Sequence, residues 1–213
     1  MMHVHSSADV RSVVCLGAHP DDIEIGCAGT LLELAADLSE VHFVIATADE
    51  VRSVEARESA NRLLGAHCAV HVATGSFQDG FLPYDAERVK SFMRARVDGL
   101  SPDIVFAPSR DDLHQDHRFI GEVALQLFRD HLILEYEVPK YDGDMGRPNF
   151  YVPLSEGSLE GKVDHLLSTF ASQQGRSWYR SEVFRSLAVL RGVESRALSG
   201  FAEAFYARKV VFG

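Results

Sequence analysis

The chain has 213 residues, a length that suits one domain built around one hydrophobic core. Hydrophobic residues make up 46% and charged residues 24%, ordinary values for a globular protein, so a disordered or fibrous chain is excluded. The formal net charge of −10 would repel a phosphate backbone, and we therefore do not expect nucleic acid as a partner.

The ends of the chain and its cysteines give further expectations. Residues 1–10 are polar and lack the apolar stretch of a secretion signal, so we expect a disordered leader followed by a single domain over 11–213. Three cysteines, Cys15, Cys27 and Cys68, are too few for a disulfide framework, which favours a reducing, cytoplasmic location. No stretch approaches the roughly 18 consecutive apolar residues of a membrane span. A homo-oligomer is left open.

Apolar runs alternate with helical periodicities over the first two thirds of the chain. The predicted strands are Arg11–Leu16, Val41–Thr47, Val70–Ala73, Ile104–Ala107 and Leu132–Val138. The predicted helices are Ile23–Leu38, Val51–Leu64, Asp85–Leu100 and Phe119–Phe128. Such alternation predicts an α/β, Rossmann-like three-layer fold with a mostly parallel central sheet and helices on both faces.

The last third of the chain is less regular. Lys140–Pro148 is rich in Gly, Asp and Pro and is predicted to be a loop. Two amphipathic stretches, near Leu159–Ser172 and Ser181–Arg191, are predicted helices that complete the same domain. The final Lys209–Phe212 is predicted to add an edge strand.

Two polar clusters follow predicted strands. His19, Asp21 and Asp22 come directly after the first strand, and a run with two histidines and three aspartates over 111–117 follows the fourth. Ligands of such sheets bind beyond the carboxyl ends of the strands. Imidazole nitrogens and carboxylate oxygens suit zinc or ferrous iron. Alone, the first cluster is explained equally well as a helix cap, and the second is better explained as a solvated, capping-rich turn. Their joint position predicts a metal centre.

Three segments carry a family resemblance. AHPDDIEIGCAGTLLE, VEARESANRLLGA and PDIVFAPSRDDLHQDHR resemble the PIG-L/LmbE-like deacetylases, and the likeness covers most of residues 12–140. The resemblance implies a metal-dependent hydrolase that removes the N-acetyl group from an amino sugar of the N-acetylglucosamine type. It also implies Zn²⁺ as the cofactor, with Fe²⁺ or another divalent metal as alternatives.

The resemblance also implies roles for individual residues. The implied metal ligands are His19, Asp22 and His117. Asp21 would be the general base for a metal-activated water, and His114, as an imidazolium, would polarise the amide oxygen and protonate the leaving amine. Asp116 would hold His114 in orientation. Asp112 stands where some sugar-thiol deacetylases carry a mobile tyrosine.

Residues outside the two clusters are weaker candidates for binding a small N-acetylated sugar or glycoconjugate. The candidates are Arg52, Arg57, Asp79, Glu137 and Lys140. A solvated helix face explains the two arginines as well, and an Asp-Gly turn explains Asp79. Trp178 and Tyr179 fit either a sugar-stacking platform or core packing.

Two other functions are compatible with the same residues. His19, Asp22 and His117 match a two-histidine, one-carboxylate triad of a non-haem iron enzyme, although the strand and helix alternation argues against its usual fold. A non-catalytic, Rossmann-like binding module for small ligands is the other alternative. It is disfavoured because no GxGxxG follows the first strand and two aspartates there would repel a pyrophosphate.

Overall fold

The computed structural model describes residues 10–210, and its centre is a seven-stranded sheet in the order β3-β2-β1-β4-β5-β7-β6. The strands are β1 (Ser12–Gly17), β2 (Glu40–Ile45), β3 (Ala69–Thr74), β4 (Ile104–Pro108), β5 (Leu132–Tyr136), β6 (Phe150–Pro153) and β7 (Ala202–Ala207). The first five strands pair in parallel, whereas β7 is antiparallel to both β5 and β6. The predicted α/β fold with a mostly parallel sheet is confirmed.

Six α-helices cover the sheet. They are α1 (Asp22–Leu34), α2 (Glu50–Leu64), α3 (Ala86–Val97), α4 (Gln115–Leu127), α5 (Glu156–Thr169) and α6 (Ser181–Ser195). Short 3-10 helices at Leu82–Asp85 and Ala171–Gln173 precede α3 and follow α5. In the part of the chain that the structure describes, no helix is both long enough and apolar enough to cross a membrane.

Side chains of each central strand alternate between two buried clusters, as expected of a sheet covered on both faces. In β1, Val13 and Cys15 pack on one face, against α1, α2, α5 and α6. Val14 and Leu16 pack on the other face, against α3 and α4. All four side chains are fully buried, which explains why β1 has a continuous apolar sequence.

Two strands near the C-terminus differ from the predictions. The prediction of an edge strand at Lys209–Phe212 is wrong for residues 209 and 210, which belong to no strand. The last strand is β7, which ends at Ala207 and lies inside the sheet between β5 and β6. Residues 211–212 lie outside the described residues. The edge strand β6 was not predicted, because Phe150–Pro153 is short and only half-buried.

The predicted leader falls mostly outside the described residues, which begin at Val10. Val10 itself is buried against the core, so the ordered chain begins before residue 11. The backbone N–H groups of Arg11 and Ser12 both donate to the Asp103 carboxylate, at 2.7 and 2.9 Å. The start of β1 is therefore tied to the start of β4.

The strand order creates a crevice at the carboxyl ends of β1 and β4. The chain leaves β1 towards β2 on one side, and it returns to β4 on the other side. Helices α1 and α4, which follow these two strands, pack on opposite faces of the sheet. Such a switch point leaves a crevice between the two following loops, where ligands bind in open α/β sheets.

Candidate metal centre and active site

His19, Asp22 and His117 bring three donor groups together in the crevice. The Nδ1 of His19 lies 3.2 Å from the Nε2 of His117. Asp22 reaches both rings, with Oδ2 3.3 Å from the Nδ1 of His19 and Oδ1 3.2 Å from the Nε2 of His117. All three side chains are buried. The loop after β1 and the first turn of α4 thus meet at one point.

The spacing and chemistry of these donors fit a divalent metal ion. Zinc bonds of about 2.0–2.2 Å in a tetrahedral arrangement place neighbouring ligand atoms about 3.3 Å apart, which is the separation found here. Two imidazole nitrogens and one carboxylate are also a usual donor set for zinc at a catalytic site. These three residues could therefore hold a zinc ion or a similar cation.

The charges of this cluster are strongly coupled. Burial alone would raise the pKa of Asp22, but His117 and His19 hold it well below its ordinary value. Burial opposes the charged form of His117 as well, yet Asp22 and Asp112 raise its pKa to about 9. The charges of the two histidines and of the buried carboxylate therefore balance one another.

Each of the two candidate ligand histidines, His19 and His117, has a carboxylate on its other ring nitrogen. Asp79 Oδ1 lies 2.9 Å from the Nε2 of His19, and Asp112 Oδ2 lies 2.8 Å from the Nδ1 of His117. Such outer carboxylates fix the tautomer and the orientation of metal-binding histidines. The structure thus gives Asp79 a contact with His19, a candidate metal ligand, and it adds Asp112, which sequence reasoning did not include among the site residues.

Lys140 neutralises the buried carboxylate that orients His117. Its Nζ lies 2.8 Å from Asp112 Oδ2 and donates to Asp144 Oδ2 at 2.9 Å. Asp144 also accepts the backbone N–H of Leu113, at 2.7 Å. The loop between β5 and β6 is thereby tied to the loop that carries His114 and His117. A substrate would meet a lysine whose charge is already paired.

Asp21 lies beside the ligand cluster and is buried. Its Oδ1 accepts a hydrogen bond from Arg52 at 2.8 Å. Asp49 caps α2, the helix that carries Arg52, since its side chain accepts the Arg52 backbone N–H at 2.8 Å. Burial and the charge of Asp22 raise the pKa of Asp21, and Arg52 opposes that shift.

His114 caps the N-terminus of α4, and its ring faces the cavity. Its Nδ1 accepts the backbone N–H of Asp116 at 3.3 Å, so a neutral ring would carry its proton on Nε2. Partial burial and the charges of His117 and His19 lower the pKa of His114. That shift favours a neutral ring, in contrast to the imidazolium expected from the sequence.

Asp116 is fully buried, and its carboxylate accepts the backbone N–H groups of Gly80 and Leu82, at 2.7 and 3.1 Å. The expected hydrogen bond from the His114 ring to this carboxylate is not found among the described residues. The physical reason is that the loop after β3 supplies two N–H donors to the carboxylate. Asp116 therefore holds His114 through its backbone and holds the Gly80 loop through its side chain.

A cavity of about 240 Å³ opens onto these groups. Its inner wall contains the three candidate metal ligands together with Asp21 and His114. Its outer part is lined by Arg52, Asp79, Lys140, Tyr141, Asp142, Gln173, Arg176 and Trp178. Trp178 thus reaches the cavity, whereas Tyr179 is buried in the core and donates its hydroxyl to the Leu166 carbonyl.

Two of the sequence-predicted substrate residues lie elsewhere. Arg57 is exposed on α2 and does not line the cavity. Glu137 is buried and forms a two-point ion pair with Arg191 of α6, with nitrogen to oxygen distances of 2.6 and 2.9 Å. It borders a separate cavity of about 350 Å³. The α6 partner of Glu137 is 54 residues away in sequence, and no local pattern predicts such a pair.

The outer wall also contains residues that sequence reasoning missed. Tyr141, Gln173 and Arg176 come from the loop after β5 and from the segment between α5 and α6. These segments carry no motif, and only the folding of the last third of the chain over the crevice brings them to the cavity. Composition or spacing would not have found them.

Comparisons with known proteins identify the family of the chain and relatives of it. Residues 14–128 match the PIG-L family model, described as GlcNAc-PI de-N-acetylase. A protein of Escherichia coli K12, the uncharacterized deacetylase YaiS, is 29% identical over 147 residues, which is 63% of this chain and 78% of that protein. The range matched by the family model contains both polar clusters.

Two solved structures share the fold. N,N'-diacetylchitobiose deacetylase from Pyrococcus horikoshii aligns with a TM-score of 0.65 and 24% identity, over 92% of this chain and 83% of that one. GalB, the 4-carboxy-2-hydroxymuconate hydratase of Pseudomonas putida KT2440, aligns with a TM-score of 0.69 and 15% identity, over 95% and 98%. At such identities the likeness concerns the fold alone, but the family model spans more than half of the chain. The chain therefore belongs to the PIG-L family.

Proposed function

We propose that this protein is a metal-dependent hydrolase that removes the N-acetyl group from an N-acetylated amino sugar. One observation carries the proposal: His19, Asp22 and His117 converge beside Asp21 and His114 on the wall of an open cavity. Family membership supports the same reaction, since the matching model is described as a de-N-acetylase.

The residues that would hold the metal are His19, Asp22 and His117. A bound Zn²⁺ would act as a Lewis acid on the amide carbonyl and lower the pKa of a coordinated water from 15.7 towards about 7. Asp79 and Asp112 would keep the two histidine rings in the ligating orientation, through the contacts at 2.9 and 2.8 Å.

Asp21 would take a proton from the attacking water. Its pKa is raised by burial and by Asp22, and a base with a pKa closer to neutral is better matched to this task. The hydrogen bond from Arg52 leaves the carboxylate in a fixed position beside the metal ligands. We assign Arg52 to positioning Asp21 in the resting protein, with substrate contact as a further role.

His114 would stabilise the oxygen that gains negative charge when water attacks the amide carbon. In its neutral form it donates from Nε2, because Nδ1 accepts the Asp116 N–H. A neutral imidazole is a weak acid and a poor proton donor. The leaving nitrogen would therefore receive, as the C–N bond breaks, the proton that Asp21 has accepted from the attacking water. His114 would thus act mainly by donating a hydrogen bond to the amide oxygen.

The outer cavity fits a sugar ring. Trp178 and Tyr141 stand with ring centroids 6.5 Å apart and nearly perpendicular, and Tyr141 is 68% exposed. Aromatic faces cover the apolar face of a hexose well. The Pyrococcus relative is named for N,N'-diacetylchitobiose, and we therefore propose an N-acetylglucosamine-type unit as the substrate. We also propose a cytoplasmic location, which three free cysteines favour.

The test is acetate release from a panel of N-acetylglucosamine conjugates by the zinc-loaded protein. Asp21→Asn should bind the metal normally, yet its kcat should fall by about 10²–10⁴-fold, the usual contribution of a general base. Arg57→Gln is the matched control, because Arg57 is exposed and outside the cavity, and it should keep wild-type kcat.

Full activity in Asp21→Asn would contradict the assigned base. Failure of the zinc-loaded protein on every acetylated sugar would contradict the reaction itself. Oxygen consumption with ferrous iron would then favour the non-haem iron enzyme. Ligand binding without turnover would favour a binding module.

A further inference from the structure

A second group of side chains of metal-binding types lies away from the crevice, towards the amino ends of β2 and β3. His42 and His71 are direct partners in the parallel register of these two strands. Glu40 precedes His42 by two residues, so its side chain projects on the same face of the sheet. One donor atom from each of the three residues lies within 4.8 Å of the others.

The three side chains are already organised towards one another. The imidazole rings stack with centroids 4.5 Å apart and planes inclined by 17°. Oε2 of Glu40 lies 3.3 Å from the Nε2 of His42 and 4.0 Å from the Nε2 of His71. Ser12 on β1 donates to the other oxygen of Glu40, at 3.1 Å, which fixes the carboxylate.

Solvent reaches this group without exposing it fully. The side chain of His42 is 15% exposed, that of Glu40 is 41% exposed and that of His71 is 54% exposed. The face is the one that Val44 shares with α3 and α4, and the histidines lie in the amino-terminal halves of their strands, where this face is partly open to solvent. Water can therefore supply any remaining ligands of a bound cation.

We propose that Glu40, His42 and His71 form a second divalent-cation site, with Zn²⁺ as the preferred ion. Two imidazole nitrogens and one carboxylate oxygen are the donors that zinc takes in proteins. The parallel register holds the two histidines side by side in the folded state, so only side-chain rotation is needed to close the site. A cation here joins the edge strand β3 to β2 and stabilises that edge of the sheet. This site is independent of the proposed deacetylase reaction.

The experiment uses the full chain with the first centre removed by Asp22→Asn and His117→Ala. Zinc chloride is titrated into this double variant by isothermal titration calorimetry. One equivalent of zinc is expected to bind, at the proposed second site. Adding His42→Ala or His71→Gln should weaken zinc binding by at least roughly 10–100-fold. That is the loss seen when a residue that only orients a metal ligand is removed, and loss of a ligand should cost no less. His67 is exposed in the turn after α2, and His67→Ala is the matched control, which should leave zinc binding unchanged.

Thermal unfolding gives a second reading of the same site. Because a ligand that binds only the folded state raises stability, zinc should raise the Tm of the background protein but not that of the His71→Gln variant. His71 is more than half exposed, so this variant should fold. Zinc binding that persists in both histidine variants, or no zinc binding in the background, would overturn the proposal.

Discussion

At the scale of single residues, Asp112 is the side chain whose role we expect to be most informative. It contacts the Nδ1 of His117 and the Nζ of Lys140, both at 2.8 Å. We expect Asp112→Asn to weaken metal binding by about 10–100-fold, because a neutral amide orients the His117 imidazole less firmly and makes it a weaker metal ligand. Competition with a chromophoric chelator measures the affinity.

Asp111→Asn is the matched control for this residue. Asp111 is the preceding aspartate, but its side chain is 68% exposed and pairs with Arg208 instead of a metal ligand. Its metal affinity should equal that of the wild type. If Asp112→Asn also kept wild-type affinity, Asp112 would have no part in holding His117.

At the scale of elements, α1, whose first residue is the candidate ligand Asp22, packs closely against Tyr136 of β5. A Cβ built at Gly26 of α1 would lie 2.2 Å from Cδ2 of Tyr136. Tyr136 is fixed in turn, since it is fully buried and donates its hydroxyl to the Leu16 carbonyl at 2.8 Å. Gly26→Ala should therefore destabilise the fold by about 1–3 kcal/mol through overpacking, despite alanine's better helix propensity. Urea unfolding measures the change.

Gly157→Ala in α5 is the control for this prediction. The nearest atom to a Cβ there is Ser155 Oγ, at 3.9 Å, which is ordinary contact. It should stabilise the protein by up to about 1 kcal/mol. Because Asp22 is the first residue of α1, Gly26→Ala should also weaken metal binding, whereas Gly157→Ala should not. Equal stability in the two variants would mean that α1 can move off the sheet without cost.

At the scale of the whole molecule, the proposed metal centre would join the loop after β1 to the start of α4. These elements pack on opposite faces of the sheet. We expect zinc at about 100 times its Kd to add about 2.7 kcal/mol of stability. At about 2–4 °C per kcal/mol for a chain of this size, the Tm should rise by about 5–10 °C over chelator-treated protein. Differential scanning calorimetry measures the shift.

The Asp22→Asn and His117→Ala variant should lose most of this shift and keep only the part that the proposed second site contributes. A Tm that is the same with chelator and with zinc would argue against metal binding at the crevice. Restoring the wild-type Tm by adding zinc after chelation shows that the loss comes from the metal and not from damage to the chain.

The amino-acid sequence by itself determined the alternation of strands and helices, since the apolar runs of β1, β2 and β4 and the periodicity of α1 to α4 are local properties. It also determined the two polar clusters and their place after β1 and β4, because the carboxyl end of a parallel strand is fixed by topology. His19, Asp21, Asp22, His114 and His117 could be named on that basis.

Only the tertiary structure decided what these residues contact. Asp79, Asp112 and Lys140 contact their partners because their loops meet at the crevice. Glu137 pairs with Arg191 and does not line the cavity at the crevice. Strand β6 is likewise held by its pairing with β7, which no local pattern in a short, half-buried segment encodes. The physical reason is the same throughout. Periodicity and spacing record which face of an element is buried, whereas ion pairs and hydrogen bonds between distant segments depend on how the whole chain packs.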